Sequence, residues 1–231
     1  MTTAIYAILP NLRKNLLYDP VRDFVRSHAS RPRRTSGREQ RTSGENIAQL
    51  VKLAKEKPGA LNYASAGVGT PAHLAGEMLN LLADIKVVHV PYKGAAPALA
   101  DVIAGNAQYI ITSPLAAGAH MNGGRVRALA TTGTQRNPSL PDLATIAETL
   151  PGYDITQTWG IVVPTGTPPE IVNKLSAEIV KVMNQPDVRE KVLATGATPV
   201  GDSPAQFEAF MTKERQRLGD VIAKRGIVLT D

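Results

Sequence analysis

From residue 46 onward the chain switches repeatedly between two hydrophobic periods. Ile47, Leu50, Val51 and Ala54 recur at helical spacing and mark one face of a helix, which Pro58-Gly59 ends. Further helices are predicted at about 72–83, 96–104 and 115–122, divided by short apolar strands opening at Leu61 and at about 87–90 and 108–112. Runs at 126–132 and 158–163 read as two more strands. Thr167-Pro168-Pro169-Glu170 and Ser203-Pro204-Ala205-Gln206 both have capping-box spacing and predict helix starts, the second with Phe207, Phe210 and Met211 as its buried face. Short strands alternating with ten-residue helices build βαβ units, so the expected class is α/β with a parallel sheet.

One segment breaks this pattern. Between Phe24 and Gly44 lie Arg26, Arg31, Arg33, Arg34, Arg38 and Arg41 against a single acid, Glu39, a local balance of +5 within a chain whose net charge is +6. The rest of the chain is therefore nearly neutral, with 20 basic and 19 acidic residues. Residues 26–46 contain one hydrophobic side chain, Ala29, too little apolar surface to offset the entropy of ordering, and residues 25–45 are expected to be disordered. A basic arm for nucleic acid is disfavoured, since no aromatic is interleaved for base stacking and no amphipathic period is present.

Composition narrows the classes further. A length of 231 residues can bury a substantial core as one or two domains. Cysteine is absent, which excludes disulfides and thiol chemistry and fits either side of a bacterial inner membrane. No stretch is long and apolar enough to span a membrane, and residues 1–10 show no signal-peptide pattern.

The candidate chemistry sits where the strand opening at Leu61 turns into a helix through LNYASAGVGTPA. Thr70 is placed as N-cap and Pro71 at the first helical position, which leaves the N–H groups of Ala72 and His73 pointing out of the helix start. Gly67 and Gly69 permit close approach of a ligand, and the helix dipole adds about half a positive charge. This is a socket for a carboxylate or phosphate, or else a plain tight turn. Gly67, Gly69 and Ala72 also satisfy the dinucleotide fingerprint, but the next strand ends in Pro91-Tyr92-Lys93 where an NAD site needs an acidic residue, and no Gly-Lys-Ser/Thr makes a P-loop. Thr112-Ser113-Pro114 repeats the cap-and-proline arrangement and forms a second socket or a plain cap. Lys93 can offer a cation to the cleft or be a solvated lysine. Tyr92 can cover a ligand or pack between strand and helix, and Trp159 reads as core or hinge packing.

Catalysis finds little support. His28, His73, His89 and His120 lack metal-ligand spacing, and no G-x-S-x-G elbow is present. Ser65, His73 and Asp84 form a triad only on paper.

The block VVHVPYKGAAPALADVIAGNAQYIIT, read with the glycine loop, resembles the Bug family, the extracytoplasmic solute-binding proteins (TctC-like) of tripartite tricarboxylate transporters. The likeness continues through GGRVRALATTGTQRNPSLPDLATIAETLPGYDITQTWGIVVPTGTPPEIVNKL to GATPVGDSPAQF, and includes Tyr18-Asp19-Pro20 and Asp23-Phe24. It implies a type II periplasmic-binding-protein-like α/β fold, two lobes with mostly parallel sheets closing on a small carboxylated solute. Residues 46–125 would form lobe 2. Residues 1–24 and 126–231 would form lobe 1, to which the strand at 126–132 returns. The implied ligand-binding residues are Ser65, Gly67, Gly69, Thr70, His73 and Ser113, with no catalytic residue, metal or cofactor. The implied partners are a di- or tricarboxylate, amino acid or aromatic acid and the membrane transporter subunits, with no nucleic acid, in the periplasm.

Two departures from the family pattern matter. Apolar strands expected after Phe24 are replaced by Arg/Ser/Gly/Pro text, so residues 25–45 read as a frameshift product, and the missing first-lobe glycine loop reads Met1 as an internal start. The first lobe would then be incomplete, with ligand held by half a clamp. The alternative class is a nucleotide-cofactor-dependent enzyme using the GVGTPA loop, with Lys93 on a ribose phosphate.

Overall fold

The computed structural model describes residues 7–13, 16, 19, 22–30, 36–39, 45–138 and 140–227. Tyr18 and Pro20 of the family-like block lie outside them. In chain order the elements are α1 (Leu9–Leu12), β1 (Phe24–Ser30), β2 (Ser36–Glu39), α2 (Ile47–Glu56), β3 (Asn62–Ser65), α3 (Pro71–Ala83), β4 (Val88–Pro91) and α4 (Ala95–Ala104). They continue with β5 (Tyr109–Thr112), α5 (Pro114–Asn122), β6 (Arg127–Thr131), α6 (Ile146–Thr149), β7 (Trp159–Pro164), α7 (Pro169–Met183), α8 (Pro186–Ala194) and α9 (Pro204–Arg225).

These elements divide into two units, residues 34–156 and residues 1–33 with 157–231. The 34–156 unit is built on a five-stranded sheet of order β4-β3-β5-β2-β6. β3 runs parallel to β4 and β5, while β2 lies antiparallel between β5 and β6. Ala64, Ala98, Leu99, Val102, Ala107, Ile110 and Val126 close one core cluster between sheet and helices. Helix α3 buries Leu74, Ala75, Met78, Leu79 and Ala83. It lies close to the sheet because residue 76 is glycine: a Cβ there would sit 2.3 Å from the Tyr63 ring. Its far end is tied by Asn80, whose side chain takes the Val87 N–H at 3.1 Å and donates to the Val87 carbonyl at 3.0 Å.

In the other unit, β1 pairs antiparallel with β7, from Phe24 opposite Pro164 to Ser30 opposite Trp159. Helix α9 starts with the expected capping box, Ser203 and Gln206 bonding each other's backbone N–H at 2.8 and 3.3 Å. Phe207, Met211, Leu218, Val221 and Ile222 form its buried stripe, with Phe210 only half-buried. The buried Glu214 carboxylate pairs with Arg217 at 2.8 Å.

Several expectations are corrected. Residues 25–45 are not wholly disordered, because 24–30 and 36–39 are strands. Main-chain pairing supplies the reason for β2: it fills a slot between two strands and pairs with both whatever its side chains. Residues 126–132 do not return the chain to the first lobe. β6 lies beside β2 in the five-stranded sheet, and the units change at 156/157 instead. Thr167 and Glu170 make no capping box, since α7 begins at Pro169 with Pro168 as N-cap, and the Thr167 hydroxyl donates to the Pro164 carbonyl at 2.8 Å. Trp159 is 37% exposed and is not core.

Candidate functional site

Parallel pairing brings the carboxyl ends of β3, β4 and β5 to one edge of the sheet, and each strand there feeds a helix. The starts of α3, α4 and α5 therefore gather at that edge. The first two loops touch directly: Tyr92 N–H donates to the Ser65 carbonyl at 3.0 Å and Gly94 N–H to the Ala66 carbonyl at 3.2 Å. A Cβ on Gly67 would meet the Tyr92 carbonyl at 3.4 Å, and Gly67 and Gly69 both hold positive φ, 139° and 74°.

Thr70 is the N-cap of α3, as expected. Its hydroxyl accepts the His73 N–H at 3.3 Å and donates to the Gly67 carbonyl at 2.7 Å. That corrects the picture of two outward donors, because His73's N–H is consumed by the cap. Gly69 N–H is likewise taken by His73 Nδ1 at 3.1 Å, and Gly67 N–H by Ser65 Oγ at 3.1 Å. Among the described residues the N–H of Ala72 has no acceptor. Helix α4 has no side-chain cap on Gly94, which leaves Ala95 and Ala96 N–H open. Ser113 caps α5 by accepting Ala116 N–H at 3.2 Å, and Leu115 N–H stays open. The edge thus presents backbone donors from three helix starts, each with its positive dipole end.

Beneath the loop lies a polar network only partly foreseen. Ser65 and His73 are buried, so they act from below the loop and do not line an open wall. The Ser65 hydroxyl meets His89 Nε2 at 2.6 Å, and the His73 and His89 rings stack at 3.9 Å. Tyr63, the register partner of His89, stacks on it at 4.9 Å and reaches Glu77 Oε1 at 2.8 Å and the His73 carbonyl at 3.1 Å. Burial holds both imidazoles below the ordinary histidine range, His89 to about 3 with the neighbouring His73 adding to the effect. Burial also pushes the Tyr109 phenol up, and its hydroxyl has no hydrogen-bond partner among the described residues.

Tyr63, Glu77 and His89 were not singled out from sequence. The signal available was that Tyr63 and Ser65 share a strand face. Which residue of the next strand meets them is decided by register, a long-range property.

The remaining candidates separate cleanly. The Tyr92 hydroxyl donates to Asp101, which also accepts from Asn106 at 2.7 Å, and burial followed by this bond pushes the phenol up to about 12. Tyr92 packs between strand and helix against the core cluster, while Lys93 is exposed. Ser65, His73 and Asp84 make no triad: the imidazole bonded to Ser65 is His89, and Asp84 is the left-handed C-cap at the opposite end of α3, about 20 Å along the helix. No group of three His, Asp or Glu able to hold a metal occurs among the described residues. No described helix is long and apolar enough to cross a membrane.

The family model described as "Tripartite tricarboxylate transporter family receptor" matches residues 1–227. A curated relative, the UPF0065 protein in the tcbD-tcbE intergenic region of Pseudomonas sp. strain P51, is 39% identical over 181 residues, covering 78% of this chain and 54% of the relative. The chain spans about half the length of that relative. Among solved structures, R. palustris Rpa4515 with adipate superposes with a TM-score of 0.89 at 29% identity, covering 99% of this chain and 77% of that one. Periplasmic binding protein BugD gives 0.84 at 25% identity, with 99% and 77% covered.

Proposed function

The chain belongs to the tripartite tricarboxylate transporter receptor family, and we propose that it is a receptor capturing a small carboxylated solute at the carboxyl edge of its parallel strands. One observation carries this reading: among the described residues, the N–H groups of Ala95, Ala96 and Leu115, and that of the more buried Ala72, are without hydrogen-bond partners at three helix starts on one sheet edge. Such donors hold an anion without charged side chains. Gly67 and Gly69 let the solute approach the backbone, Thr70 and Ser113 fix the helix starts, and Ser65 and His73 support the loop from below. A neighbour at TM-score 0.89 that holds adipate supports a carboxylate solute. The solute is a di- or tricarboxylate, amino acid or aromatic acid. The receptor works in the periplasm and passes the solute to membrane transporter subunits. It catalyses no reaction, a reading supported by the internal use of the Ser65 hydroxyl.

Calorimetric titration of succinate, malate, adipate and NADPH tests this. Binding of a dicarboxylate without NADPH binding is expected, and Thr70→Val should weaken it by about 1–3 kcal/mol through loss of the cap. NADPH binding with no carboxylate binding would overturn the receptor and restore the nucleotide-enzyme alternative.

A further inference from the structure

The stacked imidazoles under the loop have no place in the anion site itself. Both glycine N–H groups of the loop are tied down by side chains, Gly67 by Ser65 and Gly69 by His73, each at 3.1 Å. Both of those side chains converge on His89, Ser65 through a 2.6 Å hydrogen bond and His73 through ring stacking at 3.9 Å. Ser65 has one hydroxyl proton. Given to the Gly67 carbonyl at 3.1 Å, it leaves the oxygen to accept from Gly67 N–H and from His89 Nε2–H. His73 Nδ1 accepts from Gly69, so its ring proton is on Nε2. Glycines at positive φ do not hold a conformation by themselves, and this loop owes its shape to these anchors.

We propose that His89 is a positioning residue for solute binding: through Ser65 and His73 it pins the two glycines of the loop, and the pin holds only while His73 is neutral. The inference rests on the receptor reading above and adds a proton dependence to it. The titratable groups in the network around the pair are Glu77 on α3, Tyr63 on β3 and Tyr109 on β5. Glu77 favours a proton on His73, but burial outweighs it and holds both imidazoles below the ordinary histidine range. A proton added to His73 Nδ1 would set two N–H groups face to face and release Gly69.

The experiment uses this chain, adipate as probe, and four variants: His89→Leu, His89→Gln, His73→Leu and His73→Asn. His89→Leu and His73→Leu should each weaken adipate binding about tenfold, the cost of one lost anchor. His89→Gln, which keeps a donor for Ser65, and His73→Asn, which keeps an acceptor for Gly69, should each recover part of that loss. The Gly69 amide resonance should move in both leucine variants without adipate present. Wild-type affinity should also fall in acid more steeply than that of His73→Asn, whose acceptor does not titrate. Equal adipate affinity and an unmoved Gly69 amide in a folded His89→Leu would overturn the positioning role and leave the receptor intact. A wild type that binds no carboxylate in the panel would overturn the receptor reading itself, and the Gly69 amide would then report on the pin alone.

Discussion

The β3–α3 connection and strand β2 lie in the same sheet but reach their structures by opposite routes. At β3–α3 the local choices agree: a strand buried from Tyr63 to Ser65, two glycines at positive φ, a threonine cap and a proline at the first helical position. Strand β2, Ser36–Glu39, has neither apolar alternation nor β-branched residues, yet it occupies an interior slot paired on both edges. The first is specified by side chains and the second by backbone hydrogen bonding to neighbours already in place.

The largest effect should come from the side-chain-specified region. Gly76→Ala would drive a methyl into the Tyr63 ring, 2.3 Å away, and should cost about 3 kcal/mol of stability in a urea titration. No loss would mean that α3 does not sit on Tyr63 as described. For the backbone-specified region, Arg38→Pro removes a ladder N–H in an interior strand and should cost roughly 2–3 kcal/mol. A neutral result there, with trypsin cutting at Arg38 as fast as in an unfolded chain, would restore the disordered reading of the arginine-rich segment and dissolve the comparison.

Smaller changes sharpen it. Thr70→Val leaves the His73 N–H without its acceptor and should lower stability by about 1 kcal/mol. Acid should act on the same loop. His73 and His89 have folded pKa values below the unfolded value of 6.5, so the unfolded chain binds more protons and stability falls with pH from about 6.5 toward 3. Glu148, held at about 2 by the Arg136 guanidinium, adds a separate loss only below its unfolded value of 4.5. Urea midpoints at pH 7, 5.5 and 4 should show a decline between the first two in wild type that shrinks in His89→Gln; equal slopes would remove the histidines from the account.

How much was legible follows the same division. Residues whose signal is local were readable: Thr70 and Ser113 as caps, Ser203 and Gln206 as a capping box, and the apolar run of β5. Thr167 misled because Pro168 displaces the helix start by one residue, leaving the threonine outside cap position. Helix α8 was missed because Pro186–Ala194 buries no residue and so carries almost no apolar period. His89 was noted only as a scattered histidine, since its meeting with Ser65 depends on the register of two strands separated by a whole helix. Strand β2 could not be read from its own residues at all.

The position of β2 has a consequence for the order of folding. β3, β4 and β5 are joined by short crossovers and can assemble from neighbouring segments, whereas Ser36 must pair with both Thr112 and Thr131. Entropy of loop closure makes that the most expensive pairing to form early, so β2 should insert last and its amides should be the last in this sheet to gain protection from hydrogen exchange during refolding. Until then β5 and β6 stand as two open edges facing one gap, and the chain is most exposed to pairing with another copy of itself at that stage.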